Sequence, residues 1–256
     1  MVKVISIANR KGGVGKTTTA INIATAMAAI GKKVLVIDLD PQGNATTSMG
    51  LDKRNCEFSS YDVLINSVSV KKVIKGCEIP NFYIIPSKPA LAGAEIELVG
   101  VEKREYILRN ALQEVAADFD YALIDCPPSL NLITINAFVA SGSVIIPLQC
   151  EFLALEGLTD LIKNINQIKK GFNPNLKVQG IVLTMFDKRN NLSAMVEKDV
   201  RDYFGDLVYQ TIIPRSVRIS EAPSHGKPIL IYDFKSVGAQ AYISLAKEVL
   251  KREKEL

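Results

Sequence analysis

The chain has little that would tie it to a metal cluster, a membrane or an export route. Its four cysteines, Cys56, Cys77, Cys126 and Cys150, are widely spaced and form no C-x-x-C pair, which argues against a structural zinc site or an iron–sulfur cluster and leaves reduced thiols. No run approaches the roughly 18 apolar residues of a membrane helix, and residues 1–15 show no charged segment followed by an apolar one. Neither a membrane span nor a signal peptide is expected, so the expected location is cytoplasmic. The one histidine, His225, sits in an H-G-K-P turn, where a hydrogen-bonded structural role is expected rather than catalysis. Neither sign of charge dominates: 31 basic residues against 27 acidic ones leave +4, so any nucleic-acid contact must come from a local patch. Internal repeats, low-complexity tracts and linkers are also missing, and the expectation is a single domain over residues 1–256.

What is there is organised around residues 3–19, KVISIANRKGGVGKTTT, an apolar β-type run that breaks into a glycine-rich loop and then into threonines. Gly12, Gly13 and Gly15 let the backbone bend tightly and turn several N–H groups toward one anion, around Val14. Lys16 adds a point charge for the β- and γ-phosphates. Thr17 stands where a hydroxyl would meet Mg²⁺, Thr18 follows it, and the helix that starts there adds its N-terminal partial positive charge.

Hydrophobic content of 48% supports a large core, and the pattern reads as alternating strands and helices. The fold class is α/β, with a doubly wound, mostly parallel sheet and helices on both faces. Helices are expected over 18–30, stopped by Gly31, and over 103–117, 154–170, 192–204, 216–224 and 237–252. Shorter helical fragments fall near 60–66, 70–75 and 90–98. Strands are expected at 33–38, 82–86, 121–125, 143–148, 178–185 and 207–213. Residues 149–156 read as loop and helix start. In a doubly wound sheet, acidic residues at the carboxyl end of a strand beside a phosphate loop lie at the ligand edge. That brings forward Asp38 and Asp40 in D-L-D-P-Q-G-N, which either form a turn before Pro41 or, for Asp40, position the attacking water. It also brings forward Asp125 in Y-A-L-I-D, whose carboxylate would hold Mg²⁺ through a water.

The loop departs from the usual G-x-x-x-x-G-K-[ST] spelling: Arg10 replaces the first glycine, and a second lysine, Lys11, precedes the others. This spelling resembles the deviant P-loop of the MinD/ParA class of ATPases. D-L-D-P-Q-G-N-A-T, I-D-C-P-P-S, T-M-F-D-K-R-N and P-R-S-V-R-I-S-E-A-P-S-H-G-K-P extend the resemblance over almost the whole chain, to the ParA/Soj chromosome-partitioning family. The resemblance implies ATP and Mg²⁺ as ligands, and a homodimer sandwiching nucleotide, with Lys11 reaching the partner's phosphates in trans. It implies Asp40 as the catalytic aspartate and base contacts from Met185 and Pro214; the absence of N-K-x-D favours ATP over GTP. It further implies nonspecific binding of double-stranded DNA through Arg189, Arg218, Lys227 and Lys247, nucleoid association, and a ParB-type (Spo0J-like) partner that stimulates hydrolysis. Because the first core strand begins at Lys3, no separate N-terminal helix-turn-helix domain is expected. Two rivals share the fold: a MinD-like membrane-associated ATPase, which needs an amphipathic C-terminal helix, and a dethiobiotin synthetase-like enzyme using ATP on a small carboxylate.

Overall fold

In the computed structural model, which describes residues 2–152 and 154–255, seven strands form one sheet: β1 Lys3–Ile7, β2 Val34–Asp38, β3 Lys75–Gly76, β4 Phe82–Ile85, β5 Tyr121–Asp125, β6 Ser143–Gln149 and β7 Lys177–Thr184. Their order is β3-β4-β2-β5-β1-β6-β7, parallel throughout except for the short β3, which runs antiparallel to β4 at one edge. The expected mostly parallel sheet is therefore present. Five longer helices cover it: α1 Lys16–Ala29, α2 Leu132–Ala140, α3 Ala154–Gly171, α4 Asn191–Phe204 and α5 Val237–Glu255.

The unbroken apolar strands follow from burial on both faces. In β2, Val34 and Val36 join the core under α1 and α5 with Ile23, Met27, Leu245 and Val249. Leu35 and Ile37 enter the opposite core, with Phe138 of α2, Leu161 and Ile165 of α3 and Val200 of α4. Gly31 ends α1 in the left-handed region at φ +82, and its N–H donates to Ala28 at 2.9 Å.

Two expectations are corrected and one helix was missed. Residues 207–213 do not form a strand: they lie beside β7 through one isolated bridge, Val208 with Ile181, and through the Tyr209 and Ile213 N–H groups, which donate to the Ile181 carbonyl at 2.9 Å and the Leu183 carbonyl at 2.8 Å. The helix expected over 103–117 breaks into a 3₁₀ turn at Arg104–Tyr106, a helix at Ile107–Leu112 and a 3₁₀ turn at Gln113–Val115. Helix α2 was not anticipated. LITINAFVA is apolar nearly all round and packs between the sheet and α3, so it lacks the polar face that marks an amphipathic helix.

Candidate active site

Strand register gathers the acidic residues. Ile7, Asp125 and Asp38 are paired side by side at the carboxyl ends of β1, β5 and β2, so the loop leaving Ile7 opens directly over two buried carboxylates. That loop is held from β6 and from β7. Asn9 donates through Nδ2 to the Pro147 carbonyl at 2.7 Å and accepts the Lys11 N–H at 3.0 Å. Thr184, the last residue of β7, donates its hydroxyl to the Val14 carbonyl at 2.8 Å. Gly13 and Gly15 take φ +76 and +86, where a side chain would be strained, and Gly15 caps α1.

Lys16 opens α1 with its side chain buried, and Nζ donates to the Lys11 carbonyl at 3.1 Å. Burial pulls its pKa below the ordinary lysine value, opposed by the charges of Asp125 and Asp40. The Thr17 hydroxyl donates to Asp125 Oδ2 at 2.7 Å. Asp125 Oδ1 is buried without a hydrogen-bond partner, and burial together with the charge of Asp38 pushes this carboxyl well above the aspartate range. An orphaned carboxylate oxygen beside a threonine hydroxyl and a lysine suits a hard divalent cation that shares its coordination with phosphate and water. Among the described residues no group of three or more His, Cys, Asp or Glu could hold a metal ion. Cys126, next in the chain, is pushed up to about 12 by burial and by Asp125, so it stays a thiol.

The segment after β2 carries Asp40, 9% exposed, whose Oδ1 accepts the Gln42 N–H at 2.9 Å. Its neighbour Asp38 is fully buried and accepts from the Thr46 N–H at 2.8 Å, the Thr46 hydroxyl at 2.7 Å and the Asp40 N–H at 3.2 Å. Burial still raises its carboxyl to about 6. The segment ends at Gly50, which meets Gly226 backbone to backbone: a Cβ on Gly226, itself at φ +63, would lie 2.8 Å from Gly50 Cα. Asn22 ties the chain after Gly226 to α1, accepting the Ile229 N–H at 2.9 Å while its Nδ2 donates to the Thr18 carbonyl of the same helix at 2.8 Å.

Met185 and Pro214 fall on adjacent segments past β7, joined by Phe186 N–H to Ile213 and Arg215 N–H to Phe186, both at 3.0 Å. Met185 takes φ +49, a strained value for methionine. Lys11 pairs with Glu151 of its own chain, both side chains partly exposed. The four exposed cations lie apart from this cluster. Arg189 forms a two-bond pair with Asp187, which holds that carboxyl below its usual range, and Arg218 pairs with Glu221 at 3.2 Å and Asp233 at 3.6 Å. Lys227 is exposed in the turn after Gly226, and Lys247 is exposed on α5.

The AAA domain family model matches residues 2–178. The chromosome partitioning protein ParA of Caulobacter vibrioides is 52% identical over 99% of this chain and 96% of its own length. The sporulation initiation inhibitor protein Soj of Bacillus subtilis is 52% identical over 97% of this chain and 98% of its own. The chain belongs to the ParA/Soj family. Solved structures agree with that P-loop ATPase fold. Cobyrinic acid a,c-diamide synthase from Mycobacterium smegmatis, with bound ADP and magnesium, superposes at a TM-score of 0.87 with 37% identity, covering 99% of this chain and 96% of that one. The cell division ATPase MinD of Pyrococcus furiosus gives 0.82 with 26% identity, covering 98% and 99%.

Within this ParA/Soj chain, sequence reading singled out Lys16, Thr17, Asp40 and Asp125, and the fold brings all four around one loop mouth. It passed over Asn9, Thr46, Thr184 and Glu151. Thr46 stands in the quoted D-L-D-P-Q-G-N-A-T stretch, yet nothing in that string says its hydroxyl turns back to Asp38. Glu151 and Thr184 are more than 130 residues from their loop partners, and only the closed sheet joins them.

Proposed function

We propose that this chain is an ATP-switched, sequence-nonspecific DNA-binding ATPase for chromosome or plasmid partitioning. It closes as a homodimer around ATP, binds double-stranded DNA in that state, and lets go after hydrolysis stimulated by a ParB-type partner. The observation that carries the reading is the convergence of Lys16, Thr17, Asp125 and Asp40 at the mouth of a glycine loop, in a chain of this family.

Backbone N–H groups from Gly12 to Thr18 and the start of α1 cradle the phosphates, and Lys16, already stripped of water, adds its charge where it is least screened. Thr17 and, through a water, Asp125 would hold Mg²⁺, which would supply positive charge against the phosphate oxygens. The Thr17 proton stays directed at Asp125, which leaves the hydroxyl lone pairs free for the cation. Asp40 orients the attacking water. Lys11 leaves Glu151 and turns to the partner's phosphates; that ion pair is partly exposed, so giving it up costs about 1 kcal/mol or less. Met185 and Pro214 border the adenine. Dimerisation doubles the phosphates that Arg189, Arg218, Lys227 and Lys247 neutralise, and DNA affinity depends steeply on that number.

The MinD-like membrane reading needs a free apolar face on the last helix. In α5 the residues Tyr242, Leu245, Ala246 and Val249 are buried against the sheet and α1, and no described helix is long and apolar enough to cross a membrane. The deciding measurement is binding of Asp40→Ala to nonspecific duplex DNA with ATP or ADP over a salt series. Tight, salt-sensitive binding with ATP alone supports the switch. Absence of binding in both states, with ATP dimers still forming, overturns it in favour of another cargo, and ADP production that rises only with a small carboxylate would favour the enzyme reading.

A further inference from the structure

Asp38 is a buried charge that the phosphate chemistry does not use. It ends β2 beside Asp125 and spends its oxygens on the segment that carries Asp40: Oδ2 takes both the N–H and the hydroxyl of Thr46, and Oδ1 takes the N–H of Asp40. The Thr46 hydroxyl is also held from outside. The Ser87 N–H, two residues past β4, donates to Thr46 Oγ1 at 2.9 Å on one lone pair, while the hydroxyl proton goes to Asp38 Oδ2. All three groups facing Asp38 are therefore donors and call for a carboxylate with both oxygens accepting. The peptide between the two aspartates is fastened on its other side, where the Leu39 N–H donates to the Asp125 carbonyl at 3.0 Å. Three anchors, at Ser87 past β4, at Asp125 on β5 and at Thr46 in the helix Asn44–Ser48, thus converge on the two residues that set the path of the backbone into Asp40.

We propose that Asp38 is a positioning residue for hydrolysis, acting through the Asp40 N–H and, with Thr46 and Ser87, fixing where the Asp40 carboxylate points. The proposal rests on Asp40 being the hydrolytic carboxylate. It separates two aspartates that look interchangeable in D-L-D-P: one faces the reaction and the other faces the first one's backbone. An asparagine at 38 keeps the shape and one accepting oxygen. With that oxygen satisfying Thr46, its NH₂ meets the Asp40 N–H donor to donor, so the substitution strikes the Asp40 anchor and spares the rest.

The test measures steady-state ATP turnover and ATP affinity for Asp38→Asn, Asp40→Ala, the double variant, Thr46→Val and Thr46→Ser, with melting temperature as a check. A shift of the carboxylate by about 1 Å costs on the order of 10²-fold in rate. Asp38→Asn is expected to lower kcat by about 10- to 100-fold with KM for ATP within about twofold. Thr46→Val is expected to lose turnover in the same way, and Thr46→Ser, which keeps the hydroxyl, to regain most of it. The double variant should be no slower than Asp40→Ala, because Asp38 has nothing left to position. Wild-type kcat in Asp38→Asn beside a dead Asp40→Ala overturns the positioning role alone, as does a double variant whose losses multiply, or a loss in which KM and melting temperature move together with kcat. Normal turnover in Asp40→Ala overturns the hydrolytic reading of Asp40, and the role of Asp38 with it.

Discussion

Two sets of charged residues divide this molecule. Those at the carboxyl edge of the sheet, Lys16, Asp38 and Asp125, are buried, while Arg189, Arg218, Lys227 and Lys247 stand on the exterior. A buried charge is costly without partners, so each inner residue is specified by its neighbours, and removing one leaves another uncompensated. An exposed charge is screened and cheap, and two of the outer four are already paired with acidic neighbours. The inner set should behave as a switch with few parts, each indispensable. The outer set should behave as a sum.

Lys16→Ala should break the inner set most completely. ATP affinity, read by calorimetry, is expected to fall at least about 100-fold, because a buried charge facing the phosphates is worth several kcal/mol; unchanged affinity would remove Lys16 from phosphate binding. Next is Asp40→Ala, with turnover down at least about 100-fold and ATP dimers persisting on light scattering. Gly12→Val sharpens the contrast in another way. A Cβ at Gly12 meets nothing within 4 Å in the free chain, so folding and ATP binding should survive while the partner's close approach is blocked. Normal ATP dimers in that variant would end the idea that the loop faces a second subunit.

Stability against pH probes the inner set without ligand. The folded chain holds the Asp38 proton up to about pH 6, whereas the unfolded chain releases it near the ordinary aspartate value, so the folded state binds the extra proton in between. The Asp38 contribution to stability therefore falls as pH rises from about 4 to 6, and Asp38 adds no further slope above that. Urea midpoints across this range should show a shallower slope in Asp38→Asn than in wild type; identical slopes would refute the assignment. The smallest effects belong to the exterior. Lys227→Ala and Lys247→Ala, each removing one contact from each subunit of the dimer, should weaken DNA binding only modestly, with the salt slope reduced by about 2 and turnover unaffected.

The same division explains what sequence could tell. The phosphate loop was legible because glycines, lysine and threonine follow one another along the chain. β2, β5 and β6 were legible because strands buried on both faces are apolar throughout. Helix α2 was not, since burial on most sides erased its periodicity, and 207–213 read as a strand because Val208, Tyr209 and Ile213 are β-formers, of which only Val208 forms a bridge to β7. In the site, Lys16, Thr17, Asp40 and Asp125 were legible from local spelling. Asp38 had the right spelling and an undetermined job, for the three donors that define it come from the Asp40 backbone and from the N–H and hydroxyl of Thr46, itself held by Ser87 past β4.

The contact between Gly50 and Gly226 leaves no side chain to act as a cushion. Gly50 closes the segment that Asp40 opens, and Gly226 stands immediately before Lys227. The separation of those two stretches is set by main chain alone, so a side chain at Gly226 would have to push the turn that carries Lys227 away from the end of that segment.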